Sequence, residues 1–484
     1  MDNIAGFGNV RTSNFEIKID RGEKMIQVKK GMRALVVGMG RTGVSATKLL
    51  CKKGFKVTVT DELNKTDLKE ALDALEGYDY VSELGKHVLK TFGEQDFIVV
   101  SPGVRLDIKP LQHAEKCKIP IISEVELASQ FITEPIIAVT GTNGKTTTSH
   151  LVHEMLLAGG KTSFLCGNVG TPLCEYALRR DKCDYVVLEV SSFQLDSTYT
   201  LKPHIAIFLN VAPDHLDRYS AYEDYVAAKL KLKNAMNEND HIITNLRDQK
   251  LMSLLSGITP KFLYFTSDAL AKVPPHYAEK FQGMTMEANA ALSLRSERWK
   301  EHVFPTQGNL LKGLHNKENL MAATLAAKLC SISNEAIQKV VMTFKPLPHR
   351  MEFVARKNQV AFYNDSKGTN VHSLMRSLES FREPVILIAG GKDKGEDYLP
   401  LAYSIRKHVK NLILVGEAKE KMNRAIGDYS ETFLVGTFEE AVYLAYQKSR
   451  SGDVVLLSPG CASQDMFKNF EDRGDHFKKI VNTF

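Results

Sequence analysis

Short apolar runs alternate with stretches whose apolar residues recur at helical spacing, from about residue 33 to the end of the chain. Short runs rich in Val, Ile and Leu are typical of buried strands. Strands that alternate with helices predict parallel sheets with helices on both faces, which is the α/β fold class. The predicted strands are Arg33–Val37, Lys56–Thr60, Phe97–Val100, Ile119–Ile122, a run starting at Ile136, Ser163–Cys166, Tyr185–Val190, Ile205–Asn210, His241–Thr244, Val385–Ala389, Leu412–Val415, Phe433–Val435 and Asp453–Leu457.

Two segments divide this pattern into three parts. Thr133–Pro135 has the composition of a linker, and the two prolines of Lys345–Pro348 disfavour a helix across that segment. At 484 residues the chain is also too long for a single hydrophobic core. We expect an N-terminal extension (1–31), a Rossmann-like domain (32–134), a central P-loop ATPase-like domain with a parallel sheet (135–346) and a C-terminal Rossmann-like domain (347–484). Within the central part, residues 266–303 show little periodicity, and a helix is predicted from about Lys317 to Cys330.

Composition and charge narrow the function classes. The net charge of +6 suits small anionic substrates and is too weak to indicate nucleic-acid binding. The seven cysteines are scattered without a C-x-x-C pair, so neither a disulfide framework nor a zinc site is supported. Apolar runs are of strand length, and the N-terminus lacks the apolar core of a signal peptide. We expect a cytoplasmic monomer with small-molecule partners and no nucleic-acid or membrane partner.

A glycine-rich turn follows the strand that starts at Ile136. The turn reads Gly141-x-x-Gly144-Lys145-Thr146 and leads into a helical pattern. In a phosphate-binding loop, backbone N–H groups cradle the phosphates, the lysine neutralises charge and the hydroxyl binds Mg²⁺. The consensus loop is one residue longer, and an ordinary glycine-rich turn is the alternative. The pattern predicts that the chain binds a nucleoside triphosphate.

A second glycine-rich turn lies near the start of the regular structure. Gly38-x-Gly40-x-x-Gly43 follows the first predicted strand, and Asp61 ends the second. This is the arrangement of a dinucleotide-binding fingerprint. NAD is therefore one candidate ligand, but any nucleotide diphosphate can use the same turn.

Charged side chains follow two central strands where these strands end. Glu189 lies at the end of Tyr185–Val190, and Asp214 and His215 follow Ile205–Asn210. Ligands of open parallel sheets collect at the carboxyl ends of strands, so these groups are expected near the phosphate loop. Glu189 is a candidate ligand of Mg²⁺, and His215 of a second metal ion. A helix N-cap or a surface carboxylate for Glu189 and a satisfied loop histidine for His215 are the alternatives.

Several motifs together resemble those of the Mur ligases, a family of ATP-dependent amide ligases of peptidoglycan precursor synthesis. The motifs are Gly141–Thr147, Gly167–Gly170, Leu188–Leu195, Asn210–Asp217, His315–Asn316 and Leu347–Arg350. The resemblance covers about residues 33–484. It is closest to the member that adds D-glutamate to UDP-N-acetylmuramoyl-L-alanine, on the segments Ser191–Gln194, Asn364–Asn370 and Ser458–Phe470.

The resemblance implies a two-step reaction. ATP would phosphorylate the carboxylate of UDP-N-acetylmuramoyl-L-alanine to an acyl phosphate, and the amine of D-glutamate would then displace phosphate. The implied cofactors are two Mg²⁺ ions and a carbamate that CO₂ forms on Lys229. The implied process is cell-wall biogenesis, and with it cell shape, cell division and the cell cycle. The first glycine-rich turn then becomes a site for the UDP diphosphate instead of NAD.

The resemblance also implies which residues act. Catalytic roles fall on Lys145, Glu189, His215 and Lys229, and the metal ligands are Thr146, Glu189, His215 and Lys229. ATP would be bound by Gly141, Thr142, Asn143, Gly144, Lys145, Thr146, Thr147, Asn316, Asn319, Arg350 and Asp365. The UDP substrate would be bound by Gly38, Gly40, Arg41, Thr42, Gly43, Asp61, Glu62, Ser101, Asn168, Ser191 and Gln194. D-Glutamate would be bound by Lys367, Thr369, Lys394, Ser463 and Phe470, with Lys392 as an alternative to Lys394.

The residues themselves give only partial support for a modified Lys229. It shares a helical face with Tyr222, Tyr225 and Val226, so partial burial is expected, and burial favours the neutral amine that carbamylation needs. Lys233 lies on the same face, so periodicity does not distinguish the two lysines. An ordinary solvated lysine is the alternative.

Three other functions compete with the amino-acid ligase. A folylpolyglutamate-type ligase would share the phosphate loop but would leave the first glycine-rich turn unexplained. An NAD-dependent oxidoreductase fused to a phosphate-binding module would explain that turn, but no constellation for hydride transfer is recognisable. A P-loop switch protein would hydrolyse ATP without any acceptor amino acid.

Overall fold

The structure, a computed structural model, describes residues 29–215, 218–278 and 281–484. These residues form three sheets in chain order, each covered by helices on both faces. Buried apolar side chains fill the layers between the sheets and their helices. The predicted α/β class and the order of three α/β units are therefore confirmed. Residues 1–28, most of the predicted N-terminal extension, lie outside the described residues.

The first sheet is entirely parallel. Its strands are β1 (Arg33–Val37), β2 (Lys56–Asp61), β3 (Tyr80–Leu84), β4 (Phe97–Val100) and β5 (Ile121–Ser123). Its helices are α1 (Arg41–Lys52), α2 (Lys69–Asp73), α3 (Leu89–Gly93), α4 (Lys109–Lys116) and α5 (Glu124–Ser129). The strand order is β3-β2-β1-β4-β5. The order reverses between β1 and β4, so a crevice is expected beside the glycine-rich turn that ends β1.

The central sheet is the largest, with nine strands among the described residues. They are β6 (Ile136–Thr140), β7 (Ser163–Gly167), β8 (Tyr185–Glu189), β9 (Ile205–Phe208), β10 (His241–Asn245), β11 (Lys261–Phe265), β12 (Gly283–Met286), β13 (Leu292–Arg295) and β14 (His302–Phe304). The helices are α6 (Lys145–Ala158), α7 (Leu173–Leu178), α8 (Ser192–Leu195), α9 (Tyr222–Leu230), α10 (Gln249–Leu254), α11 (Pro275–Ala278), α12 (Leu314–Leu329) and α13 (Asn334–Thr343). The strand order is β14-β13-β12-β11-β10-β9-β6-β8-β7, which brings the carboxyl ends of β6, β8 and β9 together.

The third sheet has six strands among the described residues. They are β15 (Glu352–Lys357), β16 (Val360–Asn364), β17 (Val385–Gly390), β18 (Val409–Val415), β19 (Glu431–Leu434) and β20 (Val454–Leu457). The helices are α14 (Val371–Leu378), α15 (Ala402–His408), α16 (Lys419–Ile426), α17 (Phe438–Lys448) and α18 (Phe470–Asn482). The strand order is β15-β16-β20-β17-β18-β19. Single 3₁₀ turns of the second and third units occupy Lys231–Lys233, Leu270–Lys272, Leu399–Leu401 and Gly427–Tyr429.

The edges of the second and third sheets differ from the purely parallel prediction. Strands β13 and β14 extend the central sheet in antiparallel fashion, inside the region whose sequence shows little periodicity. Strand β15 pairs antiparallel with β16 at the edge of the third sheet. Strands β13 and β14 are short and contain the polar residues Ser293 and His302, so they lack the continuous apolar run that marks a central parallel strand.

No helix in the described parts of the chain combines the length and the apolar character needed to cross a membrane.

Candidate active site

A cavity of about 600 Å³ lies where the carboxyl ends of the central strands face the third sheet and α14. It brings together most of the residues predicted to bind ATP and Mg²⁺, and some of those predicted to bind the UDP substrate and D-glutamate. Its lining includes Thr142, Asn143, Gly144, Lys145, Thr146, Thr147, Asn168, Glu189, Ser191, His215, Asn316, Asn319, Arg350, Asp365, Lys367 and Thr369. Residues from distant parts of the sequence therefore converge on one space.

The turn between β6 and α6 has the geometry of a phosphate-binding loop. Gly144 is the N-cap of α6 with φ 89°, a left-handed conformation that favours glycine. A Cβ there would lie 2.4 Å from Oδ1 of Asn319, so the loop and α12 approach too closely for a side chain. The N-terminus of α6, which begins at Lys145, faces the cavity and favours an anion there. The arrangement fits the predicted triphosphate site.

The carbonyl oxygen of Gly141 accepts hydrogen bonds from the side-chain amines of two lysines, Lys145 and Lys229. Lys145 Nζ donates to it at 2.9 Å and also to the carbonyl of Thr142 at 2.8 Å. Lys229 Nζ donates to the same Gly141 oxygen at 3.0 Å. Two charged ammonium groups so close to one oxygen repel each other. Burial and the Lys145 charge both lower the pKa of Lys229 far below its ordinary range.

Lys229 is buried deeply for a lysine. Its side chain is 2% exposed, and its Nζ lies 4.4 Å from the ring centre of Tyr225. The predicted helical face is confirmed, because both residues are buried in α9. Lys233 is less buried and donates to the carbonyl of Leu254, away from the phosphate loop. The structure thus distinguishes the two lysines, because Lys229 reaches the phosphate loop and Lys233 does not.

An arginine from beyond the second linker reaches the phosphate loop. Arg350 Nη2 donates to Thr146 Oγ1 at 2.6 Å. The residues on either side of it, His349 and Met351, have left-handed backbones with φ 62° and φ 49°. Non-glycine residues rarely adopt this conformation, and such strain is concentrated at functional sites. Because a guanidinium is suited to bind phosphate oxygens, Arg350 is placed to clamp a nucleotide from the C-terminal side.

Glu189 and His215 both line the cavity beside the phosphate loop. Asn168 Nδ2 donates to one carboxylate oxygen of Glu189 at 3.0 Å. His215 has φ 57°, and burial lowers the pKa of its ring to about 4, so it is neutral at physiological pH. A neutral imidazole can bind a metal ion. The alternative of a helix N-cap for Glu189 does not apply, because the N-cap of α8 is Ser191.

The residues fit Mg²⁺ as ligands that share it with phosphates, not as a complete cage. In the described part of the chain, no three His, Cys, Asp or Glu side chains are close enough to hold a metal by themselves. The Thr146 hydroxyl and the Glu189 carboxylate supply hard oxygen donors at the cavity wall. Mg²⁺ in nucleotide sites usually takes one or two protein oxygens and completes its shell with phosphate oxygens and water.

An ion-pair network joins the loop after β9 to the third sheet. Lys394 Nζ lies 2.7 Å from Asp214 and 3.5 Å from Glu396. Asn370 Nδ2 donates to the other oxygen of Asp214 at 2.9 Å. Burial opposes the charge of Asp214, but Lys394 overcomes it and lowers the pKa of Asp214; burial raises the pKa of Glu396 to about 7. Lys392 is exposed and pairs through its backbone with Ala462, whereas the Lys394 amine contacts Asp214, which lines the cavity, so the geometry favours Lys394 over Lys392.

Asp365 and Lys367 follow β16 and line the cavity close to Arg350. Ser377 and Ser458 both donate to Oδ2 of Asp365, and burial raises the pKa of Asp365 to about 6. Burial, together with the neighbouring Arg350 charge, lowers the pKa of Lys367 to about 8. The Nζ of Lys367 lies 4.0 Å from the ring centre of Phe470.

Helix α12 presents two asparagines to the loop. Asn319 Oδ1 accepts from the Thr148 hydroxyl at 3.2 Å, and Asn319 Nδ2 donates to Asn316 Oδ1 at 3.2 Å. Asn316 Nδ2 donates to the carbonyl of Lys312 at 2.7 Å. Both side chains are almost fully buried. Their amides are fixed at the cavity wall beside the phosphate loop.

The first glycine-rich turn lies outside this cavity. A Cβ on Gly43 would lie 1.8 Å from the carbonyl of Gly38, so close turn packing requires glycine there. A Cβ on Gly40 would meet no atom within 4 Å, so the turn is open at that point. Asp61 accepts from the backbone N–H of Met39 at 2.7 Å, which ties β2 to the turn. The N-terminus of α1 follows Gly40 directly and favours an anionic group such as a diphosphate there.

The other predicted UDP-substrate residues are divided between the two places. Ser101 Oγ donates to the Gly38 carbonyl at 2.9 Å, whereas Arg41, Thr42 and Glu62 lie at the turn and the end of β2. Asn168 and Ser191 line the central cavity. Gln194 forms a capping box with Ser191 at the start of α8, so both have a structural role as well. Among the D-glutamate residues, Lys367 and Thr369 line the cavity, whereas Lys394, Ser463 and Phe470 lie outside its lining.

The sequence indicated no role for four residues at the junction of the second and third sheets, which are Glu318, Asn370, His372 and Arg376. Asn143 Nδ2 lies 3.1 Å from His372 Nδ1 and 3.3 Å from Asn370 Oδ1. Arg376 Nη2 lies 2.7 Å from Glu318 Oε2. Asn370 is the N-cap of α14, a position that asparagine before a helical pattern can reveal. No local sequence pattern predicts the contacts of Glu318, His372 and Arg376.

Three family profiles match consecutive parts of the chain. The profile described as "Mur ligase MurD-like, N-terminal domain" matches residues 32–123, "Mur ligase middle domain" matches residues 139–327, and "Mur ligase, glutamate ligase domain" matches residues 349–461. The chain is 45% identical over 459 residues to a protein of Bdellovibrio bacteriovorus named UDP-N-acetylmuramoylalanine–D-glutamate ligase. That alignment covers 94% of this chain and 98% of the relative.

The chain belongs to the Mur ligase family. A second relative with the same name, from Geotalea uraniireducens, is 43% identical, and the alignment covers 93% of this chain and 97% of the relative. The resemblance found in the motifs is thereby confirmed over the described domains.

Solved structures of Mur ligases share the fold at low identity. A pseudomurein peptide ligase type C from Methanothermus fervidus superposes with a TM-score of 0.58 at 18% identity, over 94% of this chain and 100% of that one. The UDP-N-acetylmuramate–alanine ligase MurC from Thermotoga maritima gives a TM-score of 0.56 at 17% identity, over 93% of this chain and 99% of that one. At these identities the comparison shows the three-domain α/β fold.

Proposed function

We propose that this Mur ligase is an ATP-dependent enzyme that adds D-glutamate to UDP-N-acetylmuramoyl-L-alanine, a step of peptidoglycan precursor synthesis. The relatives above carry the name of this activity over nearly their whole length. The observation that carries the proposal is the cavity in which the phosphate loop meets Arg350 from the C-terminal part of the chain. Such an arrangement suits phosphoryl transfer followed by attack of a second substrate.

The first step activates a carboxylate. A carboxylate oxygen of the L-alanyl group attacks the γ-phosphorus of ATP, the new O–P bond forms, and the bond to the β-phosphate oxygen breaks to release ADP. Phosphoryl transfer needs mainly positioning and neutralisation of charge. Lys145 and the N-terminus of α6 face the phosphates from one side, and Arg350 faces them from the other.

The second step forms the amide. The neutral amine of D-glutamate attacks the acyl carbon, and the tetrahedral intermediate expels phosphate. The ammonium of free D-glutamate loses one proton to become this neutral amine, and the attacking nitrogen loses a second proton, to water or to the departing phosphate, as the amide forms. The phosphate leaves with the electrons of the C–O bond. Lys367, Thr369, Lys394, Ser463 and the region of Phe470 are proposed to hold the acceptor. A dicarboxylate is matched by the two lysines among them.

The remaining residue assignments follow the motif positions. The ATP site is proposed to comprise Gly141 to Thr147 with Asn316, Asn319, Arg350 and Asp365. The UDP part of the substrate is proposed to bind at Gly38, Gly40, Arg41, Thr42, Gly43, Asp61, Glu62 and Ser101. Its L-alanyl end would extend toward Asn168, Ser191 and Gln194.

Two Mg²⁺ ions and a carbamate complete the proposed site. Thr146 and Glu189 would hold one ion, and His215 with a carbamylated Lys229 would hold the other. When bound, the ions neutralise phosphate charge. The carbamate is supported by the burial of Lys229 and by its sharing of the Gly141 carbonyl with Lys145, an arrangement that disfavours a second ammonium.

The domain limits and the setting of the enzyme are also proposals. We place the boundaries after residues 31, 134 and 346, which the spans of the three family profiles support. We propose a cytoplasmic monomer acting in cell-wall biogenesis, and through it in cell shape and cell division. Its partners are the two small-molecule acceptors alone.

Product analysis tests the proposed function. The purified chain is incubated with ATP, Mg²⁺, UDP-N-acetylmuramoyl-L-alanine and D-glutamate, and mass spectrometry follows the new amide while ADP is quantified. We expect one amide per ADP, with phosphate release that depends on both acceptors. Phosphate release without any acceptor would instead favour a P-loop switch protein. Complete reactions without amide would overturn the proposal.

A further inference from the structure

Arg473 in α18 is one of the most deeply buried charged residues in the described chain, with 1% of its surface exposed. Its Nε donates to Ser366 Oγ at 3.0 Å, and its Nη1 donates to the carbonyl of Ala462 at 3.0 Å. Its Nη2 donates to the carbonyls of Ser366 at 2.9 Å and Cys461 at 3.1 Å. One guanidinium therefore makes four hydrogen bonds inside the third domain.

These partners belong to two loops that follow neighbouring strands. Ser366 follows β16 and lies between Asp365 and Lys367, whereas Cys461 and Ala462 follow β20 and precede Ser463. The Ser366 hydroxyl, which accepts from Arg473, also donates to the carbonyl of Phe470 at 2.8 Å. The guanidinium thus links both loops and, through Ser366, the first residue of its own helix. These three segments carry four of the five residues assigned to the acceptor.

Among the residues that the structure describes, no carboxylate lies within ion-pair distance of Arg473. Within the described residues its hydrogen-bond partners are carbonyl and hydroxyl oxygens only. Asp365 and Asp465 act on it from beyond ion-pair distance. Burial lowers the pKa of Arg473 to about 10, which still leaves it charged at physiological pH. Burying a charge without a partner is costly, so such a residue is expected where the charge or its rigid fork serves a function.

We propose that Arg473 is a positioning residue that fixes the Ser366 and Cys461–Ala462 loops around the acceptor amino acid. The five donors of its planar fork hold both loops at once, which the flexible single amine of lysine cannot do. Its positive charge, not neutralised by a neighbouring carboxylate, favours an acceptor that brings carboxylates of its own. This inference rests on the proposed function, because it concerns the amine-binding half of that reaction.

Measuring the two half-reactions separately distinguishes a defect in positioning D-glutamate from a general loss of folded, active enzyme. Formation of the acyl phosphate needs ATP, Mg²⁺ and UDP-N-acetylmuramoyl-L-alanine but no D-glutamate, and hydroxylamine traps it as a hydroxamate. For Arg473→Lys and Arg473→Met we expect the KM for D-glutamate to rise by about 10- to 100-fold, since small displacements of binding groups have effects of this size. The hydroxamate yield and the KM for ATP should stay near those of the wild type.

Phe477→Leu supplies a matched control in the same helix. Phe477 is fully buried in the core beneath α18 and contributes no hydrogen bond to either loop. This variant should lower the melting temperature and leave the KM for D-glutamate unchanged. The inference is overturned if Arg473→Lys keeps the wild-type KM, or if the hydroxamate yield falls in parallel with amide formation. A wild type that forms hydroxamate but no D-glutamyl amide would contradict the proposed function instead.

Discussion

At the scale of single residues, the sharing of one carbonyl by two lysines sets the chemistry of the loop. Lys145 is expected at the end of a phosphate-binding loop, but Lys229 comes from a helix far along the chain and reaches the same oxygen at 3.0 Å. A buried amine close to another cation is more stable when neutral. The neutral amine is also the form that reacts with CO₂.

Lys229→Ala should therefore lower the rate of amide formation by about 100-fold or more, the usual effect of removing a group that stabilises a transition state. The rate would be measured as amide formed per enzyme at saturating substrates, with and without added bicarbonate. Bicarbonate should not restore the variant, because it lacks the amine.

Lys233→Ala is the control for this experiment. Lys233 follows α9 on the same predicted face but donates to the carbonyl of Leu254, so its loss should leave turnover near the wild-type value. Normal turnover of Lys229→Ala would rule out the proposed carbamate.

At the scale of elements, a buried glutamate joins α5 of the first domain to α7 of the central one. Glu124 begins α5, and its Oε1 accepts from the backbone N–H of Cys174 in α7. The other carboxyl oxygen is buried without a hydrogen-bond partner among the described residues. Burial raises the pKa of Glu124 from its ordinary 4.5 to about 7. The folded chain therefore holds this proton more tightly than the unfolded chain does.

The raised pKa of Glu124 makes the free energy of unfolding depend on pH. Between pH 4.5 and 7 the folded carboxyl stays protonated while the unfolded one ionises, so stability falls as the pH rises through this window. The loss is on the order of 3 kcal/mol when complete. In Glu124→Gln, which is neutral at every pH, this contribution should be absent.

Urea unfolding at pH 5 and pH 8 measures the difference. The wild type should lose more free energy of unfolding than Glu124→Gln between these two pH values. Glu70→Gln, at an exposed position of α2, should follow the wild type. Equal pH dependence in the wild type and Glu124→Gln would show that the buried carboxyl is already ionised.

The elements also show what the sequence could and could not predict. The parallel strands β1, β4 and β8 are continuous apolar runs, so local pattern located them within a residue or two. Strands β13 and β14 were not predicted, because each is only three or four residues long and has no continuous apolar run. The phosphate loop follows from local spacing in the same way, whereas the choice between Lys392 and Lys394 depends on Asp214, 180 positions away in sequence.

At the scale of the whole molecule, contacts between the central and C-terminal parts surround the cavity. Arg376 in α14 pairs with Glu318 in α12 at 2.7 Å, and the other carboxylate oxygen of Glu318 accepts from Ser267 at 2.9 Å. The side chains of the pair are only 20% and 11% exposed, so solvent screens them weakly. Because Asn316 and Asn319 lie on the same helix as Glu318, the pair is expected to set how α14 approaches the nucleotide.

Charge reversal tests this pair. Glu318→Arg and Arg376→Glu should each raise the KM for ATP by about fivefold or more, equivalent to about 1 kcal/mol for a partly buried pair. The double variant should recover much of this loss, because the opposite charges face each other again. The KM values of the four proteins form a double-mutant cycle.

Glu379→Gln serves as the control, since Glu379 pairs with the same arginine at 3.0 Å within the C-terminal part of the chain. It should leave the KM for ATP near the wild-type value. A double variant no better than either single one would show that the two charges act on ATP separately.

The Gly141 carbonyl also bears on how the purified protein behaves. A carbamate forms reversibly from dissolved gas and decomposes in acid. If Lys229 carries a carbamate, one ligand of the proposed second metal ion comes from dissolved CO₂ and is not encoded in the sequence. Degassing or brief acidification would then abolish the activity of the enzyme without changing its amino-acid sequence, and re-equilibration with air would restore the activity.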